Sequence, residues 1–255
     1  MSSRARVACI IPAKDEADRI AATVAAAGNL PGVSVVLVVD DGSRDDTLAR
    51  ATAAGAIGVR HERNRGKAAA IESGVNALGV REQRDGLPVC GTLLFLDADL
   101  AETAGNCAPL ITPVLAEEAD LTIGVLPPQH TAAGTQAGGL GVVMNLARTG
   151  ISELTGWTPR APLSGQRCLT RGAFELASPL AAGWGIEVGM TIDILKAGLT
   201  VREVDLDLRH RAGGNDLSAQ LHRAGQLRDV GRALVGRGLV ASRLRDFTRP
   251  REPQR

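Results

Sequence analysis

Tyrosine is absent from this chain, and aromatic residues make up only 2% of its 255 positions. Stacking platforms of the kind that hold single-stranded nucleic acid are therefore not available. Lysine is nearly absent too: Lys14, Lys67 and Lys196 are the only three, and the other basic residues are arginine. With 29 basic and 28 acidic residues the net charge is +1, which supplies no general attraction to a polyanion. No G-x-G-x-x-G follows the first apolar run, and no G-x-x-x-x-G-K-[ST] occurs, so dinucleotide hydride transfer and P-loop hydrolysis are disfavoured. No uninterrupted apolar run is long enough to cross a bilayer. Cys9, Cys90, Cys107 and Cys168 lack metal-ligand spacing; they read as buried free thiols of a reducing compartment. A strand follows within a few residues of the start, which leaves no room for a signal peptide, so a cytoplasmic location is expected.

What the chain does have is a regular alternation. Apolar strands are expected at Val7 to Ile11, Val33 to Val39, Ala56 to Arg60, Leu93 to Leu96 and Ala119 to Leu126. Helical runs stand between them at Lys14 to Ala27, Thr47 to Ala54 (capped by Asp45 or Asp46) and Ala68 to about Leu78. Strands alternating with helices over short connections predict an α/β fold with a mostly parallel sheet and helices on both faces. The second half is less regular. A Gly-rich stretch to Gly141 reads as a functional lid or a partly disordered segment. Beyond it come a helix at Asn145 to Leu154, a turn at Ser164 to Thr170, a helix from Glu187 through Lys196 closed by Gly198, and a strand over Thr200 to Leu208. A single domain over 1–255 is expected, with a regular first half at about 6–126, a less regular second half at about 127–230 and a basic tail at 231–255.

Three strands end in acids or a turn: Pro12 to Glu16, Asp40 to Ser43, and Asp97-Ala98-Asp99. Parallel strands bring such ends to one edge, where ligands of open α/β sheets bind. Asp97-Ala98-Asp99 alone is open between turn chemistry and a carboxylate for a hard divalent cation that would hold a diphosphate. Asp41 can accept a hydrogen bond from the ring N–H of uracil, Asp97 can meet ribose hydroxyls, and Lys67 can meet phosphate.

Taken as a set, Ile10-Ile11-Pro12-Ala13-Lys14-Asp15-Glu16, Val39-Asp40-Asp41-Gly42-Ser43, Asn64-Arg65-Gly66-Lys67 and Phe95-Leu96-Asp97-Ala98-Asp99 resemble the GT-A glycosyltransferases of family 2. Gly185-Ile186-Glu187-Val188-Gly189 and His210 are similar to the glucosyl-3-phosphoglycerate synthases within that group. The resemblance implies an enzyme, a hexosyltransferase that uses a UDP-linked nucleotide sugar and has no nucleic-acid partner. It implies Pro12, Ala13, Glu16 and Asp41 at the uracil end, Lys67 and Ala98 beside the donor, and Asp97 near the ribose. Asp99 and His210 would hold Mg2+ or Mn2+, whose Lewis acidity would neutralise charge on the departing diphosphate. Glu187 would position the donor sugar or handle a proton, which makes Glu187 and Asp99 the implied catalytic residues.

The acceptor side departs from that pattern. Gln166 stands where those synthases tend to carry Glu, and Thr131 to Val142 offers no Arg for a phosphorylated acid. Arg148, Ser164, Gly165, Arg209 and Arg211 are the acceptor candidates, with Arg160 and Arg167 as further cations for an anionic group. The tail from Arg209 to Arg255 carries eleven arginines and four acids. Its leucines recur at helical spacing, either to pack on the domain or to lie on an anionic membrane. The expected function is metal-dependent sugar transfer to a small, phosphorylated or unphosphorylated acceptor. Transfer to a polyprenyl phosphate at the membrane face, with peripheral membrane contact, is one alternative; a non-catalytic nucleotide-sugar-binding protein is another. A homodimer is compatible with all three.

Overall fold

A computed structural model describes residues 5–127, 138–208, 217–240 and 243. The elements run β1 (Val7–Ala13), α1 (Ile20–Gly28), β2 (Val33–Asp40), α2 (Thr47–Ala53), β3 (Ile57–Arg60), α3 (Lys67–Arg84) and β4 (Thr92–Phe95). A 3₁₀ segment (Ala101–Cys107), α4 (Ala108–Leu115), β5 (Leu121–Val125) and α5 (Gly138–Thr155) follow. The rest is β6 (Arg167–Thr170), α6 (Arg171–Ala177), a 3₁₀ turn (Gly183–Gly185), α7 (Ile186–Lys196), β7 (Val201–Asp205) and α8 (Leu217–Gly236).

The seven strands form one sheet in the order β3-β2-β1-β4-β6-β5-β7. Strands β3, β2, β1 and β4 are mutually parallel, as are β5 and β7, whereas β6 runs antiparallel to both of its neighbours. The expected α/β, mostly parallel sheet with helices on both faces is what the chain forms. Side chains alternate across a strand, and β1 shows the result. Val7, Cys9, Ile11 and Ala13 join one cluster with α1 and α4, while Ala8 and Ile10 join another with α3, α6 and α7. Both faces are covered, hence the unbroken apolar run. A third cluster joins α5, α7 and α8.

Two features of this sheet place the site. The parallel strands deliver Ala13, Asp40-Asp41 and the segment after Phe95 to one edge. Because β6 is reversed, its start lies at that same edge: Phe95 pairs with Arg167, so Gly165 and Gln166 arrive beside Asp97.

Several expected boundaries move. The helix expected from Lys14 begins only at Ile20, because side chains of the next loop capture its first amides. Asp15 N–H donates to Ser43 Oγ and Glu16 N–H to Thr47 Oγ1, each at 2.9 Å. Asp45, not Asp46, serves the start of α2, accepting from Thr47 N–H at 3.0 Å. Helix α3 continues to Arg84, and β4 runs Thr92–Phe95, one residue earlier at each end than the expected Leu93 to Leu96. Gly198, with φ 78°, closes α7 as expected. All four cysteines are free and buried.

In the described part of α8 the apolar residues face protein: Val230 and Leu234 are fully buried against α5 and α7. Among the described residues no helix is long and apolar enough to cross a membrane. Deleting a buried leucine leaves a cavity that its neighbours only partly fill. Leu234→Ala is therefore expected to lower stability by about 2–5 kcal/mol, read as a reduced urea midpoint. A helix whose stripe lay on lipid would show almost no change in water.

Candidate active site

The strand ends enclose a cavity of about 400 Å³ lined by Pro12, Ala13, Lys14, Asp41, Asn64, Gly66, Lys67, Ala70, Asp97, Gly183, Trp184, Ile186 and Glu187. Six of the residues expected here on sequence grounds, Pro12, Ala13, Asp41, Lys67, Asp97 and Glu187, do line it.

Lys67 sits at its centre. It is the first residue of α3, and Gly66 before it adopts φ 90°, a conformation glycine reaches without strain. The Lys67 ammonium donates to Asp97 Oδ1 at 2.7 Å and lies 3.1 Å from Glu187 Oε1. Burial is the largest single influence on this ammonium and disfavours its charge. The two carboxylates, acting through charge and hydrogen bonds, more than offset it and hold the lysine pKa above its ordinary value. Gln166 completes the arrangement from β6. Its Nε2–H donates to Asp97 Oδ2 at 2.5 Å, and Asp97 N–H donates to its Oε1 at 3.0 Å. A Cβ at Gly165 would run into the Lys67 ammonium and lie 2.8 Å from Asp97 Oδ1, so a side chain there would displace the ion pair.

Asp41 is 6% exposed and organises the loop that carries Lys67. It accepts from Arg65 N–H at 2.8 Å, from Gly66 N–H at 2.7 Å and from His61 Nδ1–H at 2.7 Å. His61 Nε2 shares a hydrogen bond with Ser73 Oγ at 2.9 Å. Asp99 is half-buried just beyond β4 and does not line the cavity. The loop around it is pinned by buried Thr23, whose Oγ1 donates to Ala98 O and accepts from Ala101 N–H, both at 2.8 Å. Glu16 also lies off the lining; its backbone is held by Thr47 and its carboxylate stands 4.0 Å from Arg19.

The acceptor-side expectations fare differently. Arg148 donates to Pro159 O at 2.9 Å and Arg160 O at 3.0 Å, so it fastens a turn and does not line the cavity. Arg160 pairs with Glu203 and Asp205. Arg167, expected as a cation for an anionic acceptor, is instead 1% exposed and donates to Ser164 O and Thr191 Oγ1. Burial pulls its pKa down to about 10, with partial compensation from Glu187 and Glu203. A guanidinium sealed in the core cannot grip a ligand. The Ser164 hydroxyl is buried with no hydrogen-bond partner among the described residues. Arg209, Arg211 and His210 lie outside the described residues.

Both Asp97 oxygens face donors, Lys67 and Gln166, and Asp99 is a partly exposed carboxylate, a hard oxygen donor of the kind Mg2+ or Mn2+ accepts. Among the described residues no three His, Cys, Asp or Glu side chains converge.

The sequence model of glycosyl transferase family 2 matches residues 8–137, about half of the chain. The chain belongs to this family. Among curated family relatives it is 28% identical over 232 residues to the glucosyl-3-phosphoglycerate synthase of Mycolicibacterium paratuberculosis. That alignment covers 80% of this chain but only 65% of the relative, less than two thirds of its length. Two solved structures of the Mycobacterium tuberculosis glucosyl-3-phosphoglycerate synthase are also similar. The complex with phosphoglyceric acid matches at 26% identity and TM-score 0.70, over 91% of this chain and 79% of that one. The complex with Mg2+ and uridine diphosphate matches at 25% identity and TM-score 0.69, with the same coverage. A third, from the same organism, holds Mn2+, uridine diphosphate and phosphoglyceric acid.

Sequence reasoning missed His61, Thr23 and Trp184 as parts of this site. His61 stands directly after β3 and could have been found from its place at the head of the Asn64-to-Lys67 loop. Thr23 lies inside a helix and gives no signal. Removing the central cation would take from Asp97 and Glu187 the countercharge they share. Lys67→Met is expected to destabilise the protein by about 2–4 kcal/mol at neutral pH, measured by urea unfolding. A near-zero change would mean that the bridge contributes little to the fold.

Proposed function

We propose that this chain is a metal-dependent hexosyltransferase that moves a sugar, glucose first, from a UDP-linked donor to a hydroxyl of a small acceptor. The observation that carries this reading is the Lys67 ammonium held between Asp97 and Glu187 at the mouth of α3, inside a cavity at the strand ends. The relatives' bound Mg2+ or Mn2+ and uridine diphosphate support it.

Each residue then has a task. Pro12, Ala13 and Asp41 would border the nucleoside, with Asp41 acting mainly by shaping the 61–67 loop. Lys67 and the amino end of α3 offer positive charge to the diphosphate. Asp97, fixed by Gln166, would meet ribose hydroxyls, and Glu187 would orient the hexose. Asp99 and His210 would hold Mg2+ or Mn2+, which when bound neutralises charge on the diphosphate. In the transfer, the acceptor hydroxyl oxygen bonds the anomeric carbon as that carbon's bond to the diphosphate oxygen breaks. UDP departs with the electron pair, and the hydroxyl proton passes to solvent. The work would be done in the cytoplasm, where nucleotide sugars are the donors on hand.

A lipid-phosphate acceptor drew its support from a basic helix free to lie on a membrane. The burial of Val230 and Leu234 in the protein removes that support.

A ligand that binds only the folded protein raises its stability by mass action, about 2.7 kcal/mol at a hundred times Kd. UDP-glucose with Mn2+ should therefore raise Tm by several degrees, and Asp99→Ala should lose the Mn2+-dependent part of the rise. A wild-type protein with no rise sinks the donor assignment. Full metal-dependent donor hydrolysis by Asp99→Ala sinks the role given to Asp99.

A further inference from the structure

The Gly183-Trp184-Gly185 turn is built with care around one side chain. Gly183 takes φ 61°, and a Cβ there would collide with the Asp229 carboxylate of α8. A Cβ on Gly185 would fall 2.7 Å from Ala233 Cβ and 2.8 Å from Asp229 O. The two glycines thus let α8 press directly on the turn from behind, and Trp184 N–H donates to Asp229 Oδ2 at 3.4 Å. Between them Trp184 lines the cavity and remains 41% exposed. In a chain with two tryptophans and no tyrosine, this indole, held on a braced turn in the cavity wall, offers a ligand a broad apolar face with one polar edge.

What would cover it follows from its surroundings. Glu187, 6% exposed, stands three residues on and lines the same wall. A carboxylate accepts hydrogen bonds from hydroxyls and repels anions. The cavity lining carries three carboxylates, Asp41, Asp97 and Glu187, against two ammonium groups, Lys14 and Lys67. Among the described residues the cations nearest to an acceptor role are engaged elsewhere: Arg148 with backbone carbonyls, Arg160 with Glu203 and Asp205, and Arg167 in the core. An indole face beside a hydroxyl-accepting carboxylate suits a ring with an apolar C–H face and hydroxyl edges.

Resting on the donor reading above, we infer that Trp184 is the platform of an acceptor subsite for an uncharged carbohydrate, its pyranose ring stacked on the indole and a hydroxyl directed to Glu187. This acceptor class differs from the phosphoglyceric acid held by the solved relatives. The group transfer is the one already written, with the acceptor hydroxyl belonging to a sugar.

Tryptophan emission tests it, because Trp184 and the partly buried Trp157 are the only such fluorophores. Wild type and Trp184→Leu, each with Mn2+ and UDP, are titrated with methyl α-glucopyranoside, maltose and 3-phosphoglycerate. Transfer from UDP-glucose to the same three compounds is followed by mass. The inference expects the neutral sugars to shift wild-type emission and accept glucose. It expects Trp184→Leu to lose the shift and raise the acceptor KM at least tenfold, with the UDP-glucose KM within twofold of wild type. Emission that answers only to 3-phosphoglycerate, or only to UDP-glucose, overturns it, as does unchanged sugar transfer by Trp184→Leu. The thermal shift with UDP-glucose and Mn2+ separates the two readings. Stabilised protein that ignores neutral sugars defeats this inference alone, whereas unstabilised wild type defeats both.

Discussion

One ammonium group joins three stretches of chain that are far apart in sequence: the start of α3, the end of β4 and the start of α7. Lys67 reaches Asp97 and Glu187 together, and neither carboxylate could be held in this partly buried place without a countercharge. The other arrangements at this edge serve to bring that lysine to its position. Asp41 gathers two backbone amides and the His61 ring so that the loop ends at Gly66 with the helix already aimed. Gly165 leaves room for the ammonium, and Gln166 stops Asp97 from rotating toward solvent. The side of the cavity that meets Glu187 is in turn braced by α8 through Asp229.

The reversed strand β6 is the topological step that makes this possible. A sheet of parallel strands alone would bring only strand ends to the ligand edge. Inserting one antiparallel strand between β4 and β5 brings a strand beginning there, and with it a glycine and an amide next to the acid pair. The neighbours of β6 are therefore chemically unlike those of β1 and β2. On the β1–β2 side backbone amides and a carboxylate are arranged in loops, while on the β6 side buried side chains grip one another.

These differences explain what could be read in advance. The alternation of apolar runs in the first half was legible because each strand is buried on both faces and each helix lies between two of them. The cavity residues Pro12, Ala13, Asp41, Lys67 and Asp97 were legible because they sit at strand ends or beside them, where position in the chain maps directly onto position in space. Glu187 was reached through resemblance, since its partner is 120 residues away and no local spacing links them. Arg167 was misread because an arginine after a turn looks like a surface charge. Only the register of β4 with β6 shows that it points into the core. The late start of α1 was hidden for a similar reason: Asp15 and Glu16 suit a first helical turn, but Ser43 and Thr47, on another strand's loop, claim their amides. Trp184 gave no sign of its exposure, which follows from the packing of α8 on the two flanking glycines.

The long reach of the Lys67 bridge also bears on the order in which the protein is made. Strands β1 to β4 and the helices between them can pair as they leave the ribosome, since each finds its neighbour within a modest length of chain. Asp97 then waits for Gln166, 69 residues later, and Lys67 for Glu187. Loop closure over such lengths adds entropy only slowly with distance, but the partners must first exist. A nascent chain that ends before α7 therefore carries a formed strand-end edge whose central cation is paired with Asp97 alone, and the cavity becomes complete only when the last third of the chain docks.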